Sequence, residues 1–213
     1  MARANRSILG VDGRVLGSRA ENTRARLLEA TARLLAASGV LELRIVDITR
    51  EIGSSPATFY QYFVDVDAAI LALAEQATLD EAPLVSHLTT GWDGADGLQR
   101  AQSFVDAYIG FWDDHSAVLR VRNLKAEEGN AAFREARSKA NLLLIPSIGK
   151  MVEHAQAVGR LPATMHPFVT ATAMIAMIER LLPYRNEIAR RGAPTEALRD
   201  TLALLLYRSL TGR

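Results

Sequence analysis

Residues 50–63 read R-E-I-G-S-S-P-A-T-F-Y-Q-Y-F, with a Gly-Ser-Ser-Pro at the centre and four aromatic residues in the last five positions. Ser55 before Pro56 is a strong helix start, because the hydroxyl can cap free amides and proline is preorganised for the first helical position. Ahead of it, Ile45, Ile48 and Ile52 form a short apolar stripe that ends at Gly53. Two helices are therefore expected, separated only by Gly53, Ser54 and Ser55, with glycine supplying the positive φ that the turn needs. In the second helix, of about two turns, Phe59 and Phe63 share one face with Tyr62 beside them. Pro56, Ala57, Tyr60 and Gln61 point the other way. A helix, a tight glycine turn and a second short helix is the helix-turn-helix plan, in which the second helix enters the DNA major groove.

Working outward, the stretch 23–38 carries Leu27, Leu28, Thr31, Leu34 and Leu35 at the spacing of one helix face, with Thr23 as N-cap and Gly39 as the stop. Asp65 caps a fourth helix running through Ile70, Leu73, Ala74 and Ala77. Beyond it, helices are expected at 95–114, 116–128, 130–158, 166–191 and 195–210, with breaks at 83–94, near Gly129, at 159–162 and at 192–194. No strand alternation is long enough to compete. The fold class is all-α, with about nine helices. The domain reading is a flexible basic arm over 1–21, a helix-turn-helix domain over 22–66 and a larger helical domain over 67–213.

Composition narrows the function classes. The 213 residues are half apolar, ample for a core, and include no cysteine, which excludes disulfides, thiolate nucleophiles and cysteine-bound metals. The amino terminus scatters arginines among glycines without an apolar run, and the charge-free run 161–178 is interrupted by Pro162 and Pro167, so neither a secretory signal nor a membrane span is expected. A cytoplasmic protein is the expectation. Charge is uneven along the chain: residues 1–64 hold nine Arg against six acids, 65–114 one Arg against ten acids, and the remainder fifteen bases against eight acids. The amino-terminal end can approach a polyanion, and the segment after it would be repelled.

The outward face of the second helix carries the chemistry of a DNA reader. Small or apolar groups allow close approach to bases and thymine methyls, while hydroxyls and amides reach phosphates and base edges. Pro56, Ala57, Thr58, Tyr60 and Gln61 supply these. A packed core accounts for Phe59, Phe63 and part of Tyr62, but leaves the Tyr60 ring in water unless a partner meets it.

The segments T-R-A-R-L-L-E-A-T-A-R-L-L-A-A-S-G and I-V-D-I-T-R-E-I-G-S-S-P-A-T-F-Y-Q-Y-F resemble the amino-terminal DNA-binding domain of the TetR family of transcriptional regulators. The likeness spans 23 to about 73, and T-F-Y-x-Y-F is its most specific part. It implies three helices on DNA, a fourth leading to a ligand-binding domain, and a homodimer formed as a four-helix bundle by the last two helices. By position it implies that Ser55, Pro56, Ala57, Thr58 and Gln61 face bases, and that Tyr60 and Tyr62 offer hydroxyls to phosphates. It also implies that Arg24 meets the DNA backbone. Arg44 stands where a capping threonine is usual, so that helix loses its side-chain cap and gains a longer cationic phosphate contact. Val66 replaces a usual lysine, removing one phosphate contact, and Ser54 replaces a usual apolar turn residue. Arg3, Arg6, Arg14 and Arg19 have two open readings, a compensating minor-groove contact or a tail without consequence.

The remaining two-thirds carry periodicity rather than motifs. Phe104, Tyr108, Phe111 and Trp112 form an aromatic stripe, which by itself reads as core. Because the family places an effector cavity between its middle helices, the resemblance makes this stripe part of an apolar pocket. Its lining would be Trp92, Phe104, Tyr108, Phe111, Trp112, Leu144, Met174 and Met177, with Asn123 or Asn141 as polar group, suited to a small hydrophobic effector. The last two helices are apolar over more than one face, the first carrying Val169, Ala173, Ile175, Met177, Ile178, Leu181 and Leu182 and the second Leu198, Leu202, Leu205, Leu206 and Leu210. Such faces suit burial against the domain and against a second copy.

No metalloprotease, di-iron, phosphate-loop or nucleophile-elbow pattern is present, and His87, His115, His154 and His166 are scattered. No catalytic residue, metal site or cofactor is expected. The partners expected are a double-stranded DNA operator, an effector and a second copy, with no membrane. The rival reading is a helical ligand- or protein-binding dimer with weak or lost sequence-specific DNA binding, for which the absent lysine at Val66 is the motive.

Overall fold

The computed structural model describes residues 17–213, and the described chain is helical throughout, without a strand. Nine α-helices occur among the described residues: α1 (Ser18–Ser38), α2 (Ile45–Glu51), α3 (Pro56–Tyr60), α4 (Val66–Glu81), α5 (Gly97–Glu127), α6 (Ala131–Ala157), α7 (Pro167–Leu181), α8 (Arg185–Arg190) and α9 (Thr195–Thr211). Short 3₁₀ turns at Val40–Glu42, Ala82–His87 and Leu182–Tyr184 join some of them.

The chain forms two compact units, one of residues up to Ala77 with Ala117–Ala136, the other of Thr78–Ser116 with Arg137–Arg213. In the first unit, Leu27 and Ala30 of α1, Ile48 of α2, Phe59 of α3 and Ile70 of α4 are fully buried together. Val118, Val121 and Ala126 of α5 and Phe133 of α6 belong to the same cluster. In the second unit, Phe104, Val105 and Tyr108 of α5, Ile148 and Val152 of α6, Ile178 of α7 and Leu202 and Leu206 of α9 are fully buried. Gly97 starts α5 in a position where any β-carbon would collide with the Trp92 carbonyl and the Tyr207 ring, so only glycine fits.

Several element limits differ from the sequence expectation. α1 begins at Ser18, capped by Gly17, and the Thr23 hydroxyl instead donates to the Arg19 carbonyl within the helix. Arg, Ala and Glu at 19–21 are good helix formers that extend it upstream. Arg19 is thus helical, while Arg3, Arg6 and Arg14 lie outside the described residues. The helices expected at 95–114 and 116–128 are one 31-residue helix, because Asp113, Asp114 and His115 include no glycine or proline and do not break it. The helix expected over 166–191 ends at Leu181, since Pro183 cannot continue the amide ladder, and resumes as α8 after a 3₁₀ turn. α3 has one helical run of five residues rather than two turns, and the Tyr62 and Phe63 amides close the chain back onto the Phe59 carbonyl.

Candidate nucleic-acid interface

The first unit presents α3 from a braced frame. Gly53 takes φ 67°, and the Ser54 amide donates to the Thr49 carbonyl at 2.9 Å, closing the turn after α2. Ser54, where an apolar residue was the expected type, also places its hydroxyl near the Thr49 carbonyl. Ser55 caps α3 as its sequence implies: the Thr58 amide donates to Ser55 Oγ at 3.3 Å, and the two hydroxyls lie 3.2 Å apart. Behind the helix, Phe59 is fully buried and its ring lies 5.4 Å from that of Phe63. From α1, Arg26 donates to the Ile52 carbonyl at 2.9 Å, and Arg33 meets Glu51 at 2.8 Å. The two arginine contacts brace the end of α2 against a long helix, and the burial of Phe59 holds α3 to the same core cluster.

In front, Ser55, Pro56, Ala57, Tyr60 and Gln61 are exposed, and Thr58 and Tyr62 are half-buried. Tyr60 is 53% exposed, and its ring stands at 88° to that of Phe59 with centres 6.0 Å apart. Tyr62 packs against the core cluster with its remaining surface open. The structure thus brings these seven residues onto one short segment.

Arg24 and Arg44 are placed differently. Arg24 is half-buried with its guanidinium 5.1 Å over the Phe63 ring; burial lowers its pKa, and the nearby Glu75 carboxylate opposes that shift. Arg44 is the N-cap position of α2 without a side-chain cap, as expected, and its Nε donates to Asp47 Oδ2 at 2.9 Å. The other Asp47 oxygen accepts from Arg50 at 3.0 Å, so one carboxylate holds two exposed guanidiniums. Asp65 caps α4 through the Ala68 amide at 2.7 Å. Beside Val66, Lys125 of α5 reaches Asp67 at 2.6 Å, returning a cation to the start of α4. Arg26 and Lys125 had no local signal in the sequence, since their partners are 26 and 58 residues away.

The aromatic set of the second unit packs as a ladder. Ring centres of Trp92 and Phe104, Phe104 and Tyr108, and Tyr108 and Phe111 are separated by 5.9, 6.0 and 5.9 Å, and Phe111 meets His115 at 5.1 Å. Trp92, Phe104, Tyr108, Phe111, Trp112 and Leu144 are buried, whereas Asn141, Met174 and Met177 are half-buried. The Trp92 indole donates to the His87 carbonyl at 3.1 Å. Asn123 belongs to the other compact unit, where its Oδ1 accepts from Arg122. Two grooves of about 480 and 450 Å³ are lined by Leu34, Leu41, Leu43 and Arg44 and by Arg19, Asn22 and Arg26 among others, not by the aromatic set.

On α7 and α9, Ala171, Ile175, Ile178, Leu198, Leu202, Leu206 and Leu210 face inward. Phe168 and Val169 remain 57% and 61% exposed, and Leu204 and Leu205 39% and 44%, which is a second apolar face. Among the described residues no helix is long and apolar enough to cross a membrane, and no group of histidines and acids is placed to hold a metal.

The comparisons with known proteins agree with this architecture. The chain is 23% identical over 198 residues to the HTH-type transcriptional regulator EthR of Mycolicibacterium smegmatis, covering 90% of this chain and 88% of the relative. Its fold is similar to that of a Saccharomonospora viridis protein solved in complex with choline, with TM-score 0.69 and 25% identity over 87% of this chain and 96% of that one. The fatty acid degradation regulator FadR of Bacillus halodurans shares the fold at TM-score 0.65 and 13% identity, over 91% and 97% of the two chains. Residues 84–213 match the family model described as the tetracyclin repressor-like C-terminal domain. With more than half of its length matched there, the chain belongs to the TetR family of transcriptional regulators.

Proposed function

We propose that this regulator is a cytoplasmic repressor that binds a palindromic operator as a homodimer and is released by a small effector. The observation that carries the reading is the division of labour in residues 55–63: Phe59 and Phe63 are buried as anchors, while Ser55, Pro56, Ala57, Tyr60 and Gln61 stay exposed. An exposed tyrosine and glutamine on a rigidly anchored helix match what base and phosphate contacts require. Thr58 and Tyr62 add hydroxyls at the edge of the face. Arg44, already paired with Asp47 in an exposed and hence weak ion pair, exchanges that carboxylate for a phosphate at little loss.

The second copy docks through the exposed apolar residues of α7 and α9, placing two α3 helices about one turn of DNA apart, roughly 34 Å. The effector enters the second unit next to the aromatic ladder, with Asn141, Met174 and Met177 at its edge. The likeness to a protein solved with choline extends the candidates from apolar molecules to small quaternary ammonium compounds, which aromatic faces attract. Release follows only if the effector prefers the conformation that binds DNA poorly.

Footprinting on the intergenic DNA beside the gene, combined with a salt titration of affinity, tests this reading. The expected result is a protected palindrome with affinity falling steeply as salt rises. Saturable binding without sequence preference would sink it in favour of a dimer that no longer reads DNA.

A further inference from the structure

Arg24 is half-buried, its pKa is pulled down by that burial, and its neighbours show what the guanidinium does there. Its guanidinium stacks 5.1 Å over Phe63, and Glu75 of α4 supplies the opposing charge. Phe63 is 4% exposed and lies 5.4 Å from Phe59, the buried anchor of α3, while the Phe63 amide donates to the Phe59 carbonyl at 3.0 Å. A continuous path therefore runs from α1 through Arg24 and Phe63 to the anchor of the reading helix. A guanidinium spent on a ring and a nearby carboxylate is poorly disposed to leave them for a phosphate.

We propose that Arg24 is a positioning residue that sets the tilt of α3 through the Arg24, Phe63 and Phe59 stack, rather than a phosphate contact. The planar guanidinium is required for this, because it lies flat on a ring while an ammonium is a hydrated point charge. The part of the proposal that concerns DNA rests on the reading of α3 as the base-contacting helix.

The test uses the full-length protein and two variants, Arg24→Lys, which keeps the charge, and Arg24→Met, which keeps apolar cover. The first measurement is amide hydrogen exchange without DNA. Exchange at residues 59–63 is expected to rise about 5-fold or more in Arg24→Lys, with α9 amides unchanged; unaltered exchange in this variant overturns the proposal. The second is affinity for a duplex of the intergenic DNA beside the gene, measured across salt concentrations. Arg24→Lys is expected to bind about 10-fold more weakly with an unchanged salt slope. Wild-type affinity for Arg24→Lys, together with a slope reduced by about 0.9 in Arg24→Met, is the signature of a lost phosphate contact and overturns it. If the wild-type protein binds neither that duplex nor a random one while exchange still accelerates, the positioning role stands and the DNA reading of α3 falls.

Discussion

Lys125 Nζ sits 2.6 Å from Asp67 Oδ2, linking the last turn of α5 to the first turn of α4 across 58 residues of sequence. Asp67 is one of two acids flanking Val66, and the other, Asp65, is occupied in capping α4. The ammonium therefore neutralises the carboxylate that would otherwise repel a polyanion beside α3. Lys125→Met should lower stability by about 1 kcal/mol, a figure kept small because both groups are partly exposed, and lower Tm by roughly 2–4 °C. The same variant should bind DNA more weakly, and Lys125→Met with Asp67→Asn should recover most of both losses. A thermal melt and a salt-matched binding curve of single and double variants check this as a cycle.

Ser55 combines a structural and a surface role that two substitutions separate. Ser55→Ala removes the cap to Thr58 and should destabilise by about 1 kcal/mol in urea melts. Ser55→Asp keeps a capping oxygen and so should melt within about 0.5 kcal/mol of wild type. Its added negative charge on the turn proposed to face DNA should nevertheless reduce DNA affinity by an order of magnitude or more. An aspartate variant that binds as well as wild type would place this residue away from DNA.

Tyr60 and Gln61 are adjacent and exposed, yet they should fail differently. Tyr60→Phe loses only a hydroxyl and should weaken binding alike at all sequences, whereas Gln61→Ala should relax preference at one base position by about 1–3 kcal/mol. Selection from a randomised operator library, read for both variants, distinguishes the two outcomes, and the reversed pattern would exchange their roles.

Val169 and Leu205 occupy the apolar face that the second unit leaves uncovered. Val169→Glu and Leu205→Glu, introduced together, should shift the protein to monomer in sedimentation analysis while leaving its helical circular dichroism intact. DNA binding should then fall to the level of a single reading head. A double variant that still sediments as a dimer would move the interface elsewhere.

The amino-terminal architecture was legible because its signals are local. Gly53, Ser55 with Pro56, and Asp65 each act within four residues, and all three perform the turn or cap that their types imply. The all-helical class was likewise readable from apolar spacing along most of the chain. The upstream start of α1 was missed because Thr23 offered a plausible cap inside a stretch of good helix formers. The single α5 was missed for a related reason: Asp113, Asp114 and His115 look like an end, but polar residues on an exposed turn do not break a ladder. Pro183 does break one, yet its effect was masked by the strong apolar pattern that runs up to it. The Arg26, Lys125 and Arg24 contacts depend on tertiary proximity, which periodicity cannot encode. Tyr60, by contrast, stood out on the sequence because a large ring on the polar side of a short helix has no structural explanation there.

Both tryptophans of the chain, Trp92 and Trp112, are buried in the second unit, and the first unit contains none. The protein therefore carries a built-in optical division. Indole emission reports on one compact unit only, at the short wavelengths of a dry environment, whereas Tyr60 and Tyr62 absorb and emit from the other. On the proposed reading DNA is bound at α3, in the unit that holds no tryptophan, so a change in tryptophan emission on adding a duplex measures, in an unlabelled sample, how far the event at one unit is felt in the other.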